Sequence, residues 1–194
     1  EAKEYKLGGV CVNTCYAGLA HKLLAGTDVK IVTVVGFPLG ADRAEVKALA
    51  TKLAVQEDHV DEVDMVINMS AFKSGNYEEV VADIAAVVEA AKPSAVKVII
   101  ETCLLTDEEK VKACELVAKG GAAFVKTSTG FSKGGATLHD VEILAREAKR
   151  YGIGVKAAGG IRDYETAKAM IAAGADRIGT SAGVAIWEDE AKAM

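Results

Sequence analysis

The sequence predicts an α/β fold, a TIM (β/α)8-type barrel of which seven β/α units are visible, and three observations carry that prediction. Short β-branched strand segments alternate with longer helix-forming segments along the whole chain. The strand segments are too uniformly apolar for antiparallel strands with one face in water, so a parallel sheet covered by helices is expected. The first strand-to-helix turn, Val12-Asn13-Thr14, lacks the G-x-G-x-x-G of a doubly wound dinucleotide fold. Barrels of this kind commonly run to about 250 residues. A chain of 194 residues with seven units therefore reads as one barrel domain spanning residues 1–194, N-terminally incomplete.

Each element has a local reason. Glu1 to Leu7 reads as the tail of a helix that Gly8-Gly9 ends. Val10-Cys11-Val12 is a short strand, followed after Asn13-Thr14 by a helix to about Ala25. Lys30 to Gly36 is a strand, Phe37-Pro38-Leu39-Gly40 a loop, and Asp42 to about Asp58 an amphipathic helix. Strand Glu62–Asn68 leads through Ser74-Gly75-Asn76 to a helix that ends at Ala91, before Pro93. Strand Val96–Glu101 precedes Thr106-Asp-Glu-Glu109, a capping-box spelling that opens a helix to Lys119. Strand Phe124–Thr129 comes next, then a helix from an N-cap at Thr137 to Tyr151. The last units are strand Gly154–Ala158 with a helix from Asp163 to Ala173, and strand Arg177–Ser181 with a short helix from about Val184.

The totals exclude several functions. A net charge of −5 with both signs scattered along the helices leaves no basic patch for nucleic acid. No apolar run approaches the roughly 20 residues that cross a bilayer, and Glu1-Ala2-Lys3-Glu4 is charged rather than a signal peptide, so a cytoplasmic protein is expected. Cys11, Cys15, Cys103 and Cys114 lack metal-ligand spacing with His21, His59 or His139, and thiols are the expected state. No metal site is expected.

Three ionisable residues interrupt apolar strands: Asp64, Lys126 and Lys156. In a parallel barrel alternate strand residues point inward, and chemistry gathers toward the C-terminal strand ends. Period-two alternation allows all three to face inward. A lysine in that position either snorkels to water or is held for a purpose. Two ammonium groups in one low-dielectric cavity repel, so one should surrender its proton readily and become a nucleophile toward carbonyl carbon. The protonated imine that results is an electron sink for carbon–carbon bond cleavage or formation. A carboxylate such as Asp64 is suited to moving protons between water, carbinolamine and enamine.

A second cluster lies at the ends of the last strands. Gly159-Gly160 and Gly179-Thr180-Ser181-Ala182-Gly183 fall where barrels commonly bind phosphate, and Ser128-Thr129-Gly130 offers further donors. Glycines there are also ordinary turn formers. Without a Walker A pattern, a sugar phosphate is expected rather than a nucleoside triphosphate.

Several stretches together resemble one known family. Phe124-Val-Lys-Thr-Ser-Thr-Gly130, Val155-Lys-Ala-Ala-Gly-Gly-Ile-Arg162 and Glu62-Val-Asp-Met-Val-Ile-Asn68 are joined by Gly36-Phe-Pro-Leu-Gly40, Lys73-Ser-Gly-Asn76, Ile100-Glu-Thr-Cys103, Gly134-Gly-Ala-Thr137 and Ile178-Gly-Thr-Ser-Ala-Gly183. This ordered set resembles deoxyribose-phosphate aldolase, a class I aldolase family, over nearly the whole chain. The resemblance implies a lyase that reversibly cleaves 2-deoxy-D-ribose 5-phosphate to D-glyceraldehyde 3-phosphate and acetaldehyde, with no metal or organic cofactor. It implies Lys126 as the Schiff-base former, Lys156 as the lysine that perturbs it, and Asp64 as the proton-relay acid/base. Gly130, Gly159, Gly160 and Ser181 are the implied phosphate contacts, and Cys11 matches a cysteine-bearing position near the site in some members. Members are usually homodimers or homotetramers, and neither nucleic acid nor membrane is an implied partner. The chain departs from the family in lacking its first strand with an Asp-His-Thr-type run, in Met69-Ser70-Ala71-Phe72, and in having no proline at Asn13-Thr14. The alternatives are another class I aldolase with a different sugar-phosphate or aldehyde substrate, and a non-catalytic phosphate-binding barrel scaffold.

Overall fold

Parallel pairing with a fixed register sets the frame. The computed structural model describes residues 1–193. Its strands are β1 (Gly9–Asn13), β2 (Lys30–Val35), β3 (Glu62–Val66), β4 (Ala95–Ile99), β5 (Phe124–Lys126), β6 (Gly154–Ala158) and β7 (Arg177–Gly179). Its helices are α1 (Ala17–Leu24), α2 (Ala44–Gln56), α3 (Met69–Lys73), α4 (Tyr77–Ala91), α5 (Asp107–Lys119), α6 (Leu138–Tyr151), α7 (Tyr164–Ala172) and α8 (Gly183–Ala193). The sheet order is β1-β2-β3-β4-β5-β6-β7, with at least one helix after each strand. Strands in chain order with helical crossovers are the connectivity of a TIM-type α/β fold, as the alternation predicts.

The chain divides into two compact units, one of residues 1–98 with 119–123 and the other of residues 99–118 with 124 onward. In the first, β1 pairs β2 in parallel with Val12 opposite Thr33, and β2 pairs β3 with Val34 opposite Asp64. All five residues of β3 are buried, which is why the segment reads as a continuous apolar run broken only by its acids. Helix α2 turns an unexpected face inward. It buries Lys47, Thr51 and Ala54, while Val46, Leu49 and Leu53 are exposed. The reason is an ion pair: Lys47 Nζ donates to Asp83 Oδ2 of α4 at 2.6 Å and to the Val66 carbonyl at 3.1 Å. Burial raises the Asp83 carboxyl above the usual carboxylate range, and Lys47 partly offsets this.

In the second unit β5 pairs β6 with Lys126 opposite Lys156, and β6 pairs β7 with Lys156 opposite Arg177. Helix α6 packs on β5 and β6 through Val141, Leu144 and Ala148, all essentially solvent-free. The capping box forms as its spelling predicts: Thr106 N–H donates to Glu109 Oε2, and Glu109 N–H donates to Thr106 Oγ1. Thr137 and Asp163 cap α6 and α7 through Asp140 N–H and Thr166 N–H.

Four local expectations need correction. Glu1–Leu7 is a single turn rather than a helix tail. It closes through Leu7 N–H to the Ala2 carbonyl at 3.0 Å, with Lys6 at φ 49, so the reversal precedes Gly8-Gly9. A 3-10 turn, Thr14–Tyr16, precedes α1. Helix α3 occupies part of the predicted strand-to-loop stretch because Asn68 caps it, accepting Ala71 N–H at 3.1 Å. Finally β5 ends at Lys126, three residues earlier than its composition predicts.

Candidate active site

The early end of β5 is the local feature from which the site is built. Thr127 N–H donates toward β6, to the Lys156 carbonyl at 3.1 Å, yet the Thr127 carbonyl faces the other way and accepts Thr102 N–H at 2.9 Å. In a regular strand both groups of one residue face the same neighbour. The backbone therefore rotates at Thr127, and the side chain fills the resulting gap. Thr127 Oγ1 donates to the Ala158 carbonyl and accepts Ala158 N–H, each at 3.0 Å. This pins the strand directly after Lys126.

Lys126 and Lys156 are register partners on adjacent parallel strands, so their side chains leave the same face, and each is only 6% exposed. Two residues earlier on each strand, Phe124 stands beside Gly154, where an added Cβ would lie 2.4 Å from the ring. The ring takes the space a side chain would use and gives the lysine pair an apolar neighbour. Arg177 is in register with Lys156 and carries its guanidinium 5.9 Å from the centre of the Phe124 ring. The stem of Lys156 runs over Gly179: a Cβ there would lie 3.0 Å from Lys156 Cε and 2.9 Å from Ala158 Cβ.

Of the glycines predicted to bind phosphate, Gly159 is closely packed, while Gly130 and Gly160 face open space. Gly130, Gly159 and Gly160 have φ of 85, 91 and 80, where a side chain is strained. A Cβ on Gly159 would lie 3.1 Å from Gly135 Cα, 3.3 Å from Ser128 Cβ and 3.7 Å from Gly130 Cα. The loop bearing Gly134-Gly135 is held there by Ala136 N–H, which donates to the Gly159 carbonyl at 3.0 Å. Ser128 Oγ is buried without a hydrogen-bond partner among the described residues, so it is available to a ligand. Thr180 Oγ1 donates to the Ile161 carbonyl at 2.6 Å and accepts Ala182 N–H at 2.9 Å, tying the turn that holds Ser181 to the one that holds Gly160. Ser181 itself is exposed, two residues before α8.

Asp64 lies in the first unit and is fully buried. Its Oδ1 accepts from Lys97 Nζ at 3.0 Å, and the same ammonium reaches Glu62 Oε2 at 2.5 Å. Lys97 and Glu62 interrupt their strands just as Lys126 and Asp64 do, and that shared pattern is the signal that would have found them. Arg177 and Glu101 carry no such signal: Arg177 opens β7 and Glu101 lies just beyond β4, positions where polar residues are common. Among the described residues no group of three or more His, Cys, Asp or Glu side chains is placed to hold a metal ion. No helix among them is long and apolar enough to cross a membrane. All four cysteines are thiols, and burial pushes that of Cys114 up to about 12.

The chain is similar to known aldolases along nearly its whole length. A family described as DeoC/LacD family aldolase matches residues 1–189. Deoxyribose-phosphate aldolase of Clostridium tetani (strain Massachusetts / E88) is 60% identical over 190 residues, covering 97% of this chain and 87% of the relative. The enzyme of that name from Streptococcus gordonii is 58% identical, covering 98% and 86%. Among solved structures, one described as "QR15, an Aldolase" superposes with a TM-score of 0.93 at 44% identity, covering 98% of this chain and 85% of that one. A deoxyribose phosphate aldolase from Aeropyrum pernix, described as a unique tetrameric structure, gives 0.92 at 34% identity, covering 100% and 81%.

Proposed function

We propose, from the premise that this chain belongs to the DeoC/LacD aldolase family, that it is an aldehyde-lyase which reversibly cleaves 2-deoxy-D-ribose 5-phosphate through a Schiff base on Lys126. The observation that carries this reading is the buried, in-register pair of Lys126 and Lys156. Attack on carbonyl carbon requires a nucleophilic amine held at the substrate, and the register sets a second lysine beside it. Lys156 supplies that neighbour, and Gly179 leaves room for its stem.

The reaction balances as follows. Lys126 Nζ attacks C1 of the open-chain aldehyde; the carbinolamine loses water to give a protonated imine. Removal of the proton on the C3 hydroxyl lets the C2–C3 electron pair move into the imine as that bond breaks. Glyceraldehyde 3-phosphate leaves, and the remaining enamine takes a proton at C2. Hydrolysis then returns acetaldehyde and the free amine. Asp64 is read as the acid/base of the relay, its carboxylate oriented by Lys97. Gly130, Gly159, Gly160 and Ser181 are read as the phosphate contacts, with the Ser128 hydroxyl as a further donor. Their support is the left-handed backbone of the three glycines, which lets N–H groups approach an anion, together with the packing of Gly159 on Ser128 and the Thr180 bonds that tie the Ser181 and Gly160 turns. The imine is the electron sink, so the sequence of steps is complete without metal or organic cofactor.

The reading extends to a cytoplasmic enzyme of deoxyribose phosphate catabolism, acting on small molecules. It also extends to self-association, supported by the outward apolar stripe of Val46, Leu49 and Leu53 on α2 and by the tetrameric description of the Aeropyrum pernix relative. The test of the chemistry is reductive trapping: acetaldehyde with borohydride should add a covalent group to Lys126, located by peptide mapping. An unmodified protein, or an adduct on another lysine alone, would contradict it.

A further inference from the structure

Glu101 is an outlier in the second unit. It has φ 51 and ψ 66, the left-handed region that a non-glycine residue enters at an energetic cost. Lys6 and His59 share a positive φ but are exposed turn residues, whereas Glu101 is 5% exposed. Its carboxylate is directed at one residue: Oε1 accepts Thr129 N–H at 3.2 Å and Oε2 accepts the Thr129 hydroxyl at 2.5 Å. Thr129 Oγ1 in turn accepts Phe131 N–H at 3.1 Å. The backbone on either side of Glu101 grips the same segment, through Ile100 N–H to the Lys126 carbonyl at 3.0 Å and Thr102 N–H to the Thr127 carbonyl at 2.9 Å.

These bonds have different targets. The two backbone bonds hold the end of the nucleophile strand, and they survive any change of side chain at 101. The two side-chain bonds hold only the turn beyond it, residues 128–131, with Gly130 at its centre. We propose that Glu101 is a positioning residue that sets the Thr129–Phe131 turn for the phosphate end of the substrate and leaves imine formation at Lys126 largely untouched. The proposal rests on the aldolase reading above and adds a residue that never contacts the reacting atoms.

The experiment compares Glu101→Gln with the wild-type protein on substrates with and without phosphate. Replacing Oε2 by an amide NH2 turns the acceptor of the Thr129 hydroxyl into a donor that competes with Phe131 N–H for Oγ1, and should raise KM for 2-deoxyribose 5-phosphate roughly tenfold with kcat little changed. Borohydride trapping of acetaldehyde on Lys126 and turnover of unphosphorylated 2-deoxyribose should stay within about twofold of wild type. Thr129→Val, nearly isosteric, should reproduce the Glu101→Gln phenotype, and Thr129→Ser, which restores the hydroxyl, should restore KM. Equal losses on phosphorylated and unphosphorylated substrate in either variant would overturn the proposal, as would an unchanged KM. A wild-type protein that forms no imine would instead overturn the aldolase reading and the proposal with it.

Discussion

The missing side chain at Gly179 is as much a part of the lysine pair as either amine. A methyl group there would meet Ala158 Cβ at 2.9 Å and Lys156 Cε at 3.0 Å, and both must shift to admit it. The backbone of Gly179 is outside the left-handed region, so the penalty of Gly179→Ala is steric. Displacing Lys156 by a fraction of an ångström should slow imine formation at least roughly tenfold, because reacting groups tolerate little misplacement. The check is the borohydride-trapping rate of Gly179→Ala against wild type, with circular dichroism to show a retained fold; an unchanged rate would contradict the role given to Lys156. Lysines, aspartate and glycines at this scale could be read from sequence because each breaks an apolar strand or ends one. Glu101 and Arg177 could not, since their significance lies in a dihedral angle and a register that no one-dimensional pattern carries.

At the scale of elements, caps and charge pairs give checkable stability effects. The Thr166 N–H and hydroxyl hold the Asp163 carboxyl below the usual carboxylate range. A carboxyl lowered on folding stabilises above its unfolded value of about 4, and that contribution is lost as pH falls through the lower folded value. Asp163→Asn keeps the cap acceptor but does not titrate. Between pH 5 and 3 the melting temperature of wild type should therefore fall more than that of Asp163→Asn; parallel curves would contradict the assignment. Inside the first unit, Lys47→Met leaves the Asp83 carboxylate buried alone and should cost about 3–5 kcal/mol in urea unfolding. The double variant Lys47→Met/Asp83→Leu should recover most of that; additive losses would show that the pair is not the coupled unit its 2.6 Å contact implies. The Thr106–Glu109 capping box and the strand at Gly154–Ala158 follow directly from local sequence. The length of β5 does not, because Thr127 replaces a backbone ladder bond by a side-chain pair, a choice made by Ala158 across the sheet. The inward face of α2 was hidden for a similar reason: its lysine has a partner thirty-six positions away.

For the whole molecule, the seven-fold alternation of strand and helix made the fold class readable, since parallel strands need helical crossovers and leave nearly uniform apolar runs. Quaternary structure was not readable that way. The stripe of Val46, Leu49 and Leu53 emerges only once Lys47 is known to point inward. If that stripe is a self-association surface, light scattering should give a multiple of the 20.2 kDa protomer mass, and Leu49→Asp should lower it; a monomeric wild-type protein would contradict this. Acetaldehyde and borohydride followed by peptide mapping should yield one reduced two-carbon adduct, on Lys126, and Lys126→Met should abolish it. A protein that stays unmodified, or that is labelled equally after Lys126 is removed, would contradict the account.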